Sequence, residues 1–307
     1  MIAALTLALL SDPLAAALPE PAVRLESTVS PTHYLRCLDA AGITLVSGHR
    51  GGPEPGFPEN AIETFANTLH HGPFMLEVDV RRTADGVYVL MHDETLERTT
   101  TGTGRLDETS WAELQTYRLV DNDGAVTAFR APSLAEALAW ARGRALLQLD
   151  VKDGVDIADL TRFVAASGAR DRAAVVAYTL EDALAAAAAD PQVSVSVEIT
   201  SAERLDALTE GGLSRDRLMA WTGVAPDPLP ELWAYLDAEG VPAAFGSLWY
   251  MDNEVAESGD ASIYADLAEA GVDVLSSDLH RLAAGTIAAA RDPVPAVAEC
   301  SMVTEAR

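Results

Sequence analysis

The stretch Phe74-Met75-Leu76-Glu77-Val78-Asp79-Val80 is short and almost continuously apolar, and only two carboxylates interrupt it. Such a run is typical of a strand that is buried on both faces of a sheet. Eight similar runs occur along the chain, and segments rich in Ala and Leu separate most of them. Strands that alternate with helices indicate a parallel α/β sheet. The nine candidate strands are Ile43–Ser47, Phe74–Val80, Val87–Met91, Ala145–Val151, Ala173–Tyr178, Val193–Ile199, Arg217–Trp221, Ala243–Leu248 and Val272–Ser276.

About eight strand–helix units within roughly 260 residues predict an α/β fold of the TIM (β/α)8 barrel type. Because nine candidates exceed eight by one, one strand is expected to lie outside the barrel. A doubly wound sheet is the alternative, but no glycine-rich nucleotide-binding loop follows the first strand. Helices are predicted over Glu59–His70, Ser133–Arg142 and Leu180–Ala189, with Ser133 and Glu136 forming a capping box.

Two connections depart from the regular alternation. Only Arg81–Gly86 joins the second and third strands, and this is too short for a crossover helix. The segment between the third and fourth strands is long and contains a stretch rich in Thr and Gly. Because loops at the active end of a barrel carry function, we expect a small insertion after the third strand, at about residues 93–130, above the barrel.

The barrel domain is predicted to span residues 43–291, with a lead-in at 21–42 and a frayed C-terminal tail at 292–307. The two cysteines, Cys37 and Cys300, stand near the ends of this folded part. Because the ends of a closed barrel are neighbours, a Cys37–Cys300 disulfide is expected in an oxidising compartment. The absence of a Cys-x-x-Cys motif argues against a cysteine-based zinc site.

Residues 1–20 contain an apolar run, Met1–Leu10, followed by small residues at Ala15–Ala17. This order resembles a signal peptide, although the basic segment that usually begins one is missing. We therefore expect a periplasmic or secreted protein, with a cytoplasmic location as the alternative if residues 1–20 are no signal. The run is too short to cross a bilayer, which takes about 20 apolar residues, and no other stretch could form a stable membrane span.

The chain of 307 residues carries 21 Lys and Arg residues against 47 Asp and Glu residues, a formal net charge of −26. Binding to a phosphate backbone requires spread positive charge, so this balance excludes nucleic acid as a general partner. Lys152 is the one lysine beside 20 arginines, and it follows Asp150 in an apolar run. A lysine retained alone indicates a chemical role, with chance as the alternative.

Carboxylates cluster in two of the predicted strands. Glu77 and Asp79 are two residues apart, which places both side chains on one face of a strand, and Asp150 lies in the fourth strand. Buried carboxylates that share a site repel one another unless a cation lies between them. Since the active site of a barrel lies at the carboxyl ends of its strands, we predict a Mg²⁺ or Ca²⁺ site there. The alternative is pairing with Arg81 or Arg82.

His49 directly follows the first strand, and His92 directly follows the third. Two imidazoles at one end of a barrel, beside carboxylates, are suited to act as a general acid and a general base. Zinc ligation by the pair is the alternative, but carboxylate-rich surroundings favour harder ions. Arg50 and Lys152 supply the local positive charge that a phosphate group requires. The residues alone thus predict metal-assisted phosphoester chemistry at a barrel mouth.

Five ordered motifs stand between residues 43 and 114. They are His49-Arg50-Gly51, Pro58-Glu59-Asn60, Glu77-Val78-Asp79, Thr83-Ala84-Asp85-Gly86, and His92-Asp93 with Leu96 and Arg98-Thr99-Thr100. In these motifs the chain resembles the glycerophosphodiester phosphodiesterase family. Weaker similarity reaches Gly271–Asp278, so the resemblance covers most of the chain after residue 42.

The resemblance implies a TIM barrel with a small insertion. It also implies hydrolysis of small glycerophosphodiesters to an alcohol and sn-glycerol 3-phosphate. The implied roles are a divalent metal on Glu77, Asp79 and Asp150, acid–base catalysis by His49 and His92, and phosphate binding by Arg50 and Lys152. Glu59 and Asn60, in the second motif, are expected to support these residues from behind the site.

Two residues depart from the family pattern. Asp150 stands where the family usually has Glu, which affects the choice of metal. His280 stands where the family often has Pro, and as a loop residue it would affect only the rim of the substrate site.

Two other functions stay open. A phosphodiesterase that acts on phospholipids or lysophospholipids would have an exposed apolar rim, to which Phe57, Trp249 and Tyr250 could contribute. A non-catalytic phosphodiester-binding barrel would be favoured if a histidine or a carboxylate were missing. The sequence leaves the head group of the substrate, the nucleophile and the oligomeric state open.

Overall fold

Eight parallel strands close into a barrel in the computed structural model, which describes residues 18–25 and 27–303. The first strand pairs with both the second and the last, so the sheet has no open edge between them. The TIM barrel prediction is therefore confirmed, and the doubly wound alternative is wrong. The barrel strands are β1 (Leu45–Gly48), β2 (Phe74–Arg82), β4 (Leu146–Val151), β5 (Ala173–Ala177), β6 (Ser194–Glu198), β7 (Leu218–Val224), β8 (Ala243–Gly246) and β9 (Val274–Ser277).

The ninth strand, β3 (Tyr88–Leu90), lies outside the barrel and runs antiparallel to the end of β2. Val80 pairs with Leu90 and Arg82 pairs with Tyr88, so β2 continues above the barrel and β3 returns along it. The expectation of one strand outside the barrel is therefore confirmed, and His92 follows this hairpin strand and not a barrel strand. The short connection after β2 forms a hairpin, and this hairpin brings His92 back down to the barrel mouth.

Helices surround the barrel and follow most of its strands. Ser133 and Glu136 form the predicted capping box at the start of the fourth helix. The helix predicted from Glu59 begins three residues later, because Glu59 and Asn60 lie in a turn. The helices are α1 (Pro31–Ala40), α2 (Ile62–His70), α3 (Trp111–Leu114), α4 (Leu134–Ala141), α5 (Ile157–Ala166), α6 (Leu180–Ala189), α7 (Ala202–Glu210), α8 (Pro230–Ala238), α9 (Met251–Ser258), α10 (Ser262–Glu269), α11 (His280–Ala290) and α12 (Val294–Cys300).

Helices α1 and α12 close the amino-terminal end of the barrel. Tyr34 and Val297 are fully buried there, in one apolar cluster with the first residues of several strands. A disulfide joins Cys37 of α1 to Cys300 of α12, as predicted, with 5.8 Å between the two Cα atoms. The expectation of a frayed tail from residue 292 is wrong for Val294–Cys300, because burial of its apolar residues against α1 stabilises a helix.

The insertion between β3 and α4 has a small apolar core of its own. Leu96, Leu106, Leu114 and Leu119 are buried there, in a cluster that also includes Met91 at the end of the hairpin. This packing fixes the insertion beside the carboxyl end of the barrel, where it forms one wall of the site.

None of the helices in the described part of the chain is long and apolar enough to cross a membrane. The signal peptide predicted over residues 1–20 lies outside the described residues, apart from Leu18, Pro19 and Glu20.

Candidate active site

Three carboxylates converge where β2 and β4 reach the barrel mouth. Asp79 pairs in register with Asp150 on the neighbouring strand, and Glu77 stands two residues earlier on β2. One oxygen from each of the three lies within 4.8 Å of the others. Burial raises the pKa of Glu77, and the charges of Asp79 and Asp150 raise it further. Its Oε1 atom is buried without a hydrogen-bond partner among the described residues. An all-oxygen set with an unpaired buried atom fits a hard divalent cation such as Mg²⁺ or Ca²⁺.

Asn60 holds Asp79 through two hydrogen bonds. Its side-chain amide donates to Asp79 Oδ2 at 2.6 Å, and its Oδ1 accepts from the Asp79 backbone N–H at 2.9 Å. The Asn60 N–H in turn donates to the carbonyl of Arg50 at 2.9 Å. Burial disfavours ionisation of Asp79, but Lys152 and Asn60 outweigh it and lower the Asp79 pKa. These contacts hold the Asp79 carboxylate in place, and the supporting role of Asn60 stays a prediction.

The turn after β1 delivers two predicted residues to the site. The Arg50 N–H donates to Glu77 Oε2 at 2.7 Å, and the Arg50 guanidinium donates to Glu59 at 2.9 Å. This geometry requires a φ of +52° at Arg50 and +83° at Gly51. A Cβ atom on Gly51 would lie 2.2 Å from the ring of Phe65, so only glycine fits there.

A carboxylate at the end of the neighbouring strand β9 orients the ring of His49. Its Nδ1 atom lies 2.7 Å from Oδ1 of Asp278, which directly follows β9. Burial opposes protonation of His49, but Asp278 and Glu77 outweigh it and raise the His49 pKa. With Nδ1 held by Asp278, the Nε2 atom is the one left for proton transfer.

His92 is oriented in the same way by its neighbour. Its Nδ1 atom lies 2.7 Å from Asp93 Oδ1, and Arg98 binds the same carboxylate at 2.6 and 2.8 Å. Arg98 also forms a two-bond contact with the buried Glu59, at 2.8 Å for each bond. Glu59 therefore joins Arg98, which holds Asp93, to Arg50, which follows His49 in the chain.

Lys152 lies between two of the three carboxylates. Its Nζ atom is 2.8 Å from Asp79 and 2.5 Å from Asp150, and these charges raise the Lys152 pKa against the opposing effect of burial. Tyr178 donates from its hydroxyl to the other oxygen of Asp150 at 2.6 Å. The short Asp150 side chain is thus held from both sides. Arg81 donates instead to the backbone carbonyl of His92, so the alternative of Arg81 pairing with these carboxylates is wrong.

Sequence reasoning missed the roles of four residues. Asp93, Arg98 and Asp278 stood inside the quoted motifs without a role, and Tyr178 was the last residue of a predicted strand. Tyr178 and Asp278 directly follow β5 and β9, and this position was the available signal, because side chains there point into the mouth of a barrel. Arg98 lies within the insertion and offers no such signal.

His280 differs from its expected place at the substrate rim. It is 2% exposed, begins α11 and packs edge-on against Phe74 at 5.5 Å between ring centres. Burial lowers its pKa to about 4. A Cβ atom on Gly52 would lie 2.8 Å from the His280 ring. His280 therefore packs beneath the turn that carries His49, and its expected assignment as a loop residue is wrong.

A cavity of about 450 Å³ opens beside His49 and Arg50. One wall comes from the insertion, whose Asp121 accepts a hydrogen bond from the Gly56 N–H at 2.7 Å. Phe57, expected at an exposed rim, is half-buried and stacks on Phe129 at 6.4 Å between ring centres. Residues that line the cavity include His49, Arg50, Arg98, Asp121, Trp249 and Asp278.

The fold and the motifs match known proteins. A model of the glycerophosphoryl diester phosphodiesterase family matches residues 49–228. A crystal structure of a glycerophosphoryl diester phosphodiesterase from Parabacteroides distasonis is 32% identical, with a TM-score of 0.78 over 86% of this chain and 94% of that chain. A phosphodiesterase from Oleispira antarctica, solved with the product sn-glycerol-3-phosphate, shares the fold at 20% identity. Its TM-score is 0.62 over 81% of this chain and 98% of that one.

Curated relatives match over a shorter region. Glycerophosphodiester phosphodiesterase 1 of Mus musculus is 35% identical over 114 residues, which is 36% of this chain and 34% of the mouse protein. The chain spans less than half the length of the curated relatives it matches. The family model nevertheless covers more than half of the chain, and the Parabacteroides match extends over nearly all of that protein. The chain therefore belongs to the glycerophosphoryl diester phosphodiesterase family.

Proposed function

We propose that this protein hydrolyses glycerophosphodiesters to an alcohol and sn-glycerol 3-phosphate with the help of a divalent cation. The observation that carries the proposal is the convergence of Glu77, Asp79 and Asp150 at the barrel mouth, near a cavity lined by His49 and Arg50. Family membership supports it. A protein of the same fold that was solved with sn-glycerol-3-phosphate agrees with it.

Glu77, Asp79 and Asp150 are the residues that would hold the cation. When bound, a divalent cation neutralises phosphate oxygens and stabilises the charge that develops in the transition state. The side chains of Arg50 and Lys152 add positive charge at the same place, and we assign phosphate binding to them. Carboxylate oxygens favour Mg²⁺ or Ca²⁺ over softer metals.

His49 and His92 are assigned the two proton transfers. The Nε2 atom of one imidazole takes the proton of the attacking hydroxyl, which belongs to the glycerol 2-position or to water. A new P–O bond forms to that oxygen as the P–O bond to the leaving alcohol breaks. The Nε2 atom of the other imidazole gives its proton to the leaving oxygen. Attack by water yields glycerol 3-phosphate directly. Attack by the 2-hydroxyl yields a cyclic phosphodiester, which water then opens to glycerol 3-phosphate with the two imidazoles in exchanged roles. Asp278 and Asp93, each on an Nδ1 atom, stabilise the protonated imidazoles during these steps.

Release of glycerol 3-phosphate from a panel of glycerophosphodiesters tests the proposal. Assays would contain Mg²⁺, Ca²⁺ or excess chelator, and we expect activity to disappear with chelator and to return with either metal. If no diester in the panel releases glycerol 3-phosphate, the hydrolase assignment is wrong. Full activity in chelator, with no metal found by elemental analysis, would overturn the metal assignment for all three carboxylates.

The same assay separates the two alternative functions. Phospholipids and lysophospholipids in the panel would be cleaved faster than soluble diesters if the protein acts on lipids. Binding of soluble diesters without turnover would indicate a non-catalytic barrel.

We also propose that the protein is exported. The apolar segment of residues 1–20 and the Cys37–Cys300 bond support this location, because disulfides persist mainly in oxidising compartments. Mass spectrometry of the unreduced mature protein tests it. An intact residue 1 together with two free thiols would contradict export.

A further inference from the structure

Three non-glycine residues in the described part of the chain have a positive φ, and all three lie at the candidate site. They are Arg50 at +52°, Asn60 at +59° and Trp249 at +66°. Left-handed backbone is unfavourable for bulky side chains and tends to persist at functional positions. At Arg50 it brings the backbone N–H to Glu77, and at Asn60 it accompanies the two hydrogen bonds to Asp79. None of the contacts described above gives Trp249 a comparable role in the site.

Trp249 belongs to a tight turn between β8 and α9 at the active end of the barrel. Leu248 and Met251 on either side of it are buried, at 5% and 3% exposure, and they anchor the turn. The Asn253 side chain donates a hydrogen bond to the Trp249 carbonyl, and the Tyr250 N–H donates to the Leu248 carbonyl at 2.8 Å. The turn is therefore fixed by its own bonds.

The Trp249 side chain contributes little to the core. It is 61% exposed, yet it lines the 450 Å³ cavity together with His49, Arg50 and Asp278. Tyr250, which is 55% exposed, does not line that cavity. A strained backbone that presents an exposed indole to the cavity beside His49 and Arg50 is typical of contact with a ligand.

We propose that Trp249 forms the subsite for the leaving alcohol and favours diesters whose alcohol carries an alkylammonium group. This inference rests on the proposed hydrolysis of glycerophosphodiesters. The face of Trp is the strongest aromatic platform for an organic cation. Asp278, whose side chain is 45% exposed, and Asp121 add negative charge to the walls of the same cavity. A phosphate held near Arg50 would then have a cation-binding surface beside it.

Kinetics of full-length Trp249→Leu and Trp249→Phe test the assignment on three substrates. Glycerophosphocholine carries a quaternary ammonium, glycerophosphoethanolamine a primary ammonium, and glycerophosphoglycerol no positive charge. We expect Trp249→Leu to lower kcat/KM for glycerophosphocholine about 10-fold more than for glycerophosphoglycerol, mainly through KM. The loss for glycerophosphoethanolamine should be intermediate, and Trp249→Phe should retain part of the preference.

Tyr250→Leu is the matched control, because Tyr250 is a similarly exposed neighbour outside the cavity. We expect it to leave the three kcat/KM values unchanged. Equal losses on charged and uncharged substrates in Trp249→Leu would overturn the preference for a cation. Unchanged kinetics in Trp249→Leu, with the thermal midpoint preserved, would overturn the contact itself.

Binding without turnover separates this inference from the proposed activity. Choline and its uncharged isostere 3,3-dimethylbutan-1-ol would be titrated into the wild-type protein, with tryptophan fluorescence as the readout. We expect choline to change the emission of the wild type but not of Trp249→Phe, and the isostere to have a much smaller effect. Equal responses to the two compounds would overturn the cation subsite even if every diester is hydrolysed. If the protein hydrolyses no diester, the proposed function is wrong, whether or not choline changes the fluorescence.

Discussion

Each candidate catalytic histidine has its Nδ1 atom within 2.7 Å of a carboxylate oxygen, from Asp278 for His49 and from Asp93 for His92. A carboxylate on Nδ1 fixes the ring orientation and selects the tautomer with the proton on that nitrogen. The two supports differ in origin, since Asp278 follows the last barrel strand and Asp93 belongs to the insertion. In the proposed mechanism, proton transfer therefore depends on the barrel and the insertion together.

Replacement of either histidine should stop most turnover. We expect His49→Ala and His92→Ala each to reduce kcat by at least about 10²-fold, the low end for loss of a general acid or base. Steady-state assays with the thermal midpoint as a folding control would measure this. A single variant with a near-normal rate would remove that histidine from the mechanism.

Asp150 and Lys152 should affect metal affinity in opposite directions. Asp150→Ala removes a proposed ligand, so we expect Mg²⁺ or Ca²⁺ binding to weaken at least about 10-fold in isothermal titration calorimetry. Lys152→Met removes the ammonium that now contacts Asp79 and Asp150, so metal binding should stay the same or tighten. Turnover of Lys152→Met should still fall about 10–100-fold, the loss of a charged phosphate contact.

Asp266→Ala, an exposed acid on α10, is the control for both variants and should change neither metal affinity nor rate. Weaker metal binding in Lys152→Met would contradict the proposed arrangement. Full activity together with low stability in that variant would make Lys152 a structural residue.

At the scale of single elements, the sequence predicted the barrel strands because burial on both faces produces continuous apolar runs. The capping box of α4 could also be predicted from the sequence, because Ser133 and Glu136 are three residues apart and interact locally. The proposed metal ligands Glu77 and Asp79 could be predicted as a pair, because alternation along β2 puts both side chains on one face.

Features that depend on distant contacts could not be predicted in this way. The direction of the third strand is not one of them, because the connection Arg81–Gly86 is too short for a crossover helix and already favours an antiparallel hairpin. Helix α12 depends on packing against α1, which lies more than 250 residues earlier in the chain. The bond from Tyr178 to Asp150 likewise exists only after β4 and β5 pair.

Loss of the α4 cap should have a measurable cost. Ser133→Ala removes the side chain that accepts from the Glu136 N–H, and we expect the free energy of unfolding to fall by about 1 kcal/mol. Urea denaturation followed by circular dichroism would measure it. Ser133→Thr keeps the acceptor and should recover most of the loss, whereas equal stability of all three proteins would show that the cap is dispensable.

At the scale of the whole molecule, the two ends of the barrel have different tasks. The carboxyl end carries the site, and the amino end is closed by α1, α12 and their disulfide. Three acids meet at this closed end, where Asp273 before β9 lines a small cavity with Asp39 of α1, Asp237 of α8 and the base Arg36. Burial raises the pKa of Asp273, and Asp39 and Asp237 raise it further, against the opposing hydrogen bond from the Ala243 N–H.

This cluster should make stability depend on pH. Asp273 keeps its proton to a higher pH in the folded protein than in the unfolded chain, where a carboxyl titrates near about 4. Unfolding therefore releases a proton above that value, and the contribution of Asp273 to stability falls as pH rises through its folded pKa. We expect Asp273→Asn, which keeps an acceptor for Ala243, to gain stability relative to the wild type as pH rises.

Thermal unfolding of the two proteins between pH 4 and pH 9 would measure this difference, which can grow by at most about 1.4 kcal/mol per pH unit. A difference that stays constant with pH would show that Asp273 is already ionised in the folded state.

The bond between Cys37 and Cys300 closes a segment with a sequence separation of 263 residues into a covalent ring. A protease that cuts once in any exposed loop inside this ring leaves one molecule rather than two. Its fragments would migrate together on a gel without reductant and separate only after reduction. Continuity of the backbone and integrity of the molecule are thus separate properties of this protein, and a nicked chain could keep all eight barrel strands in place.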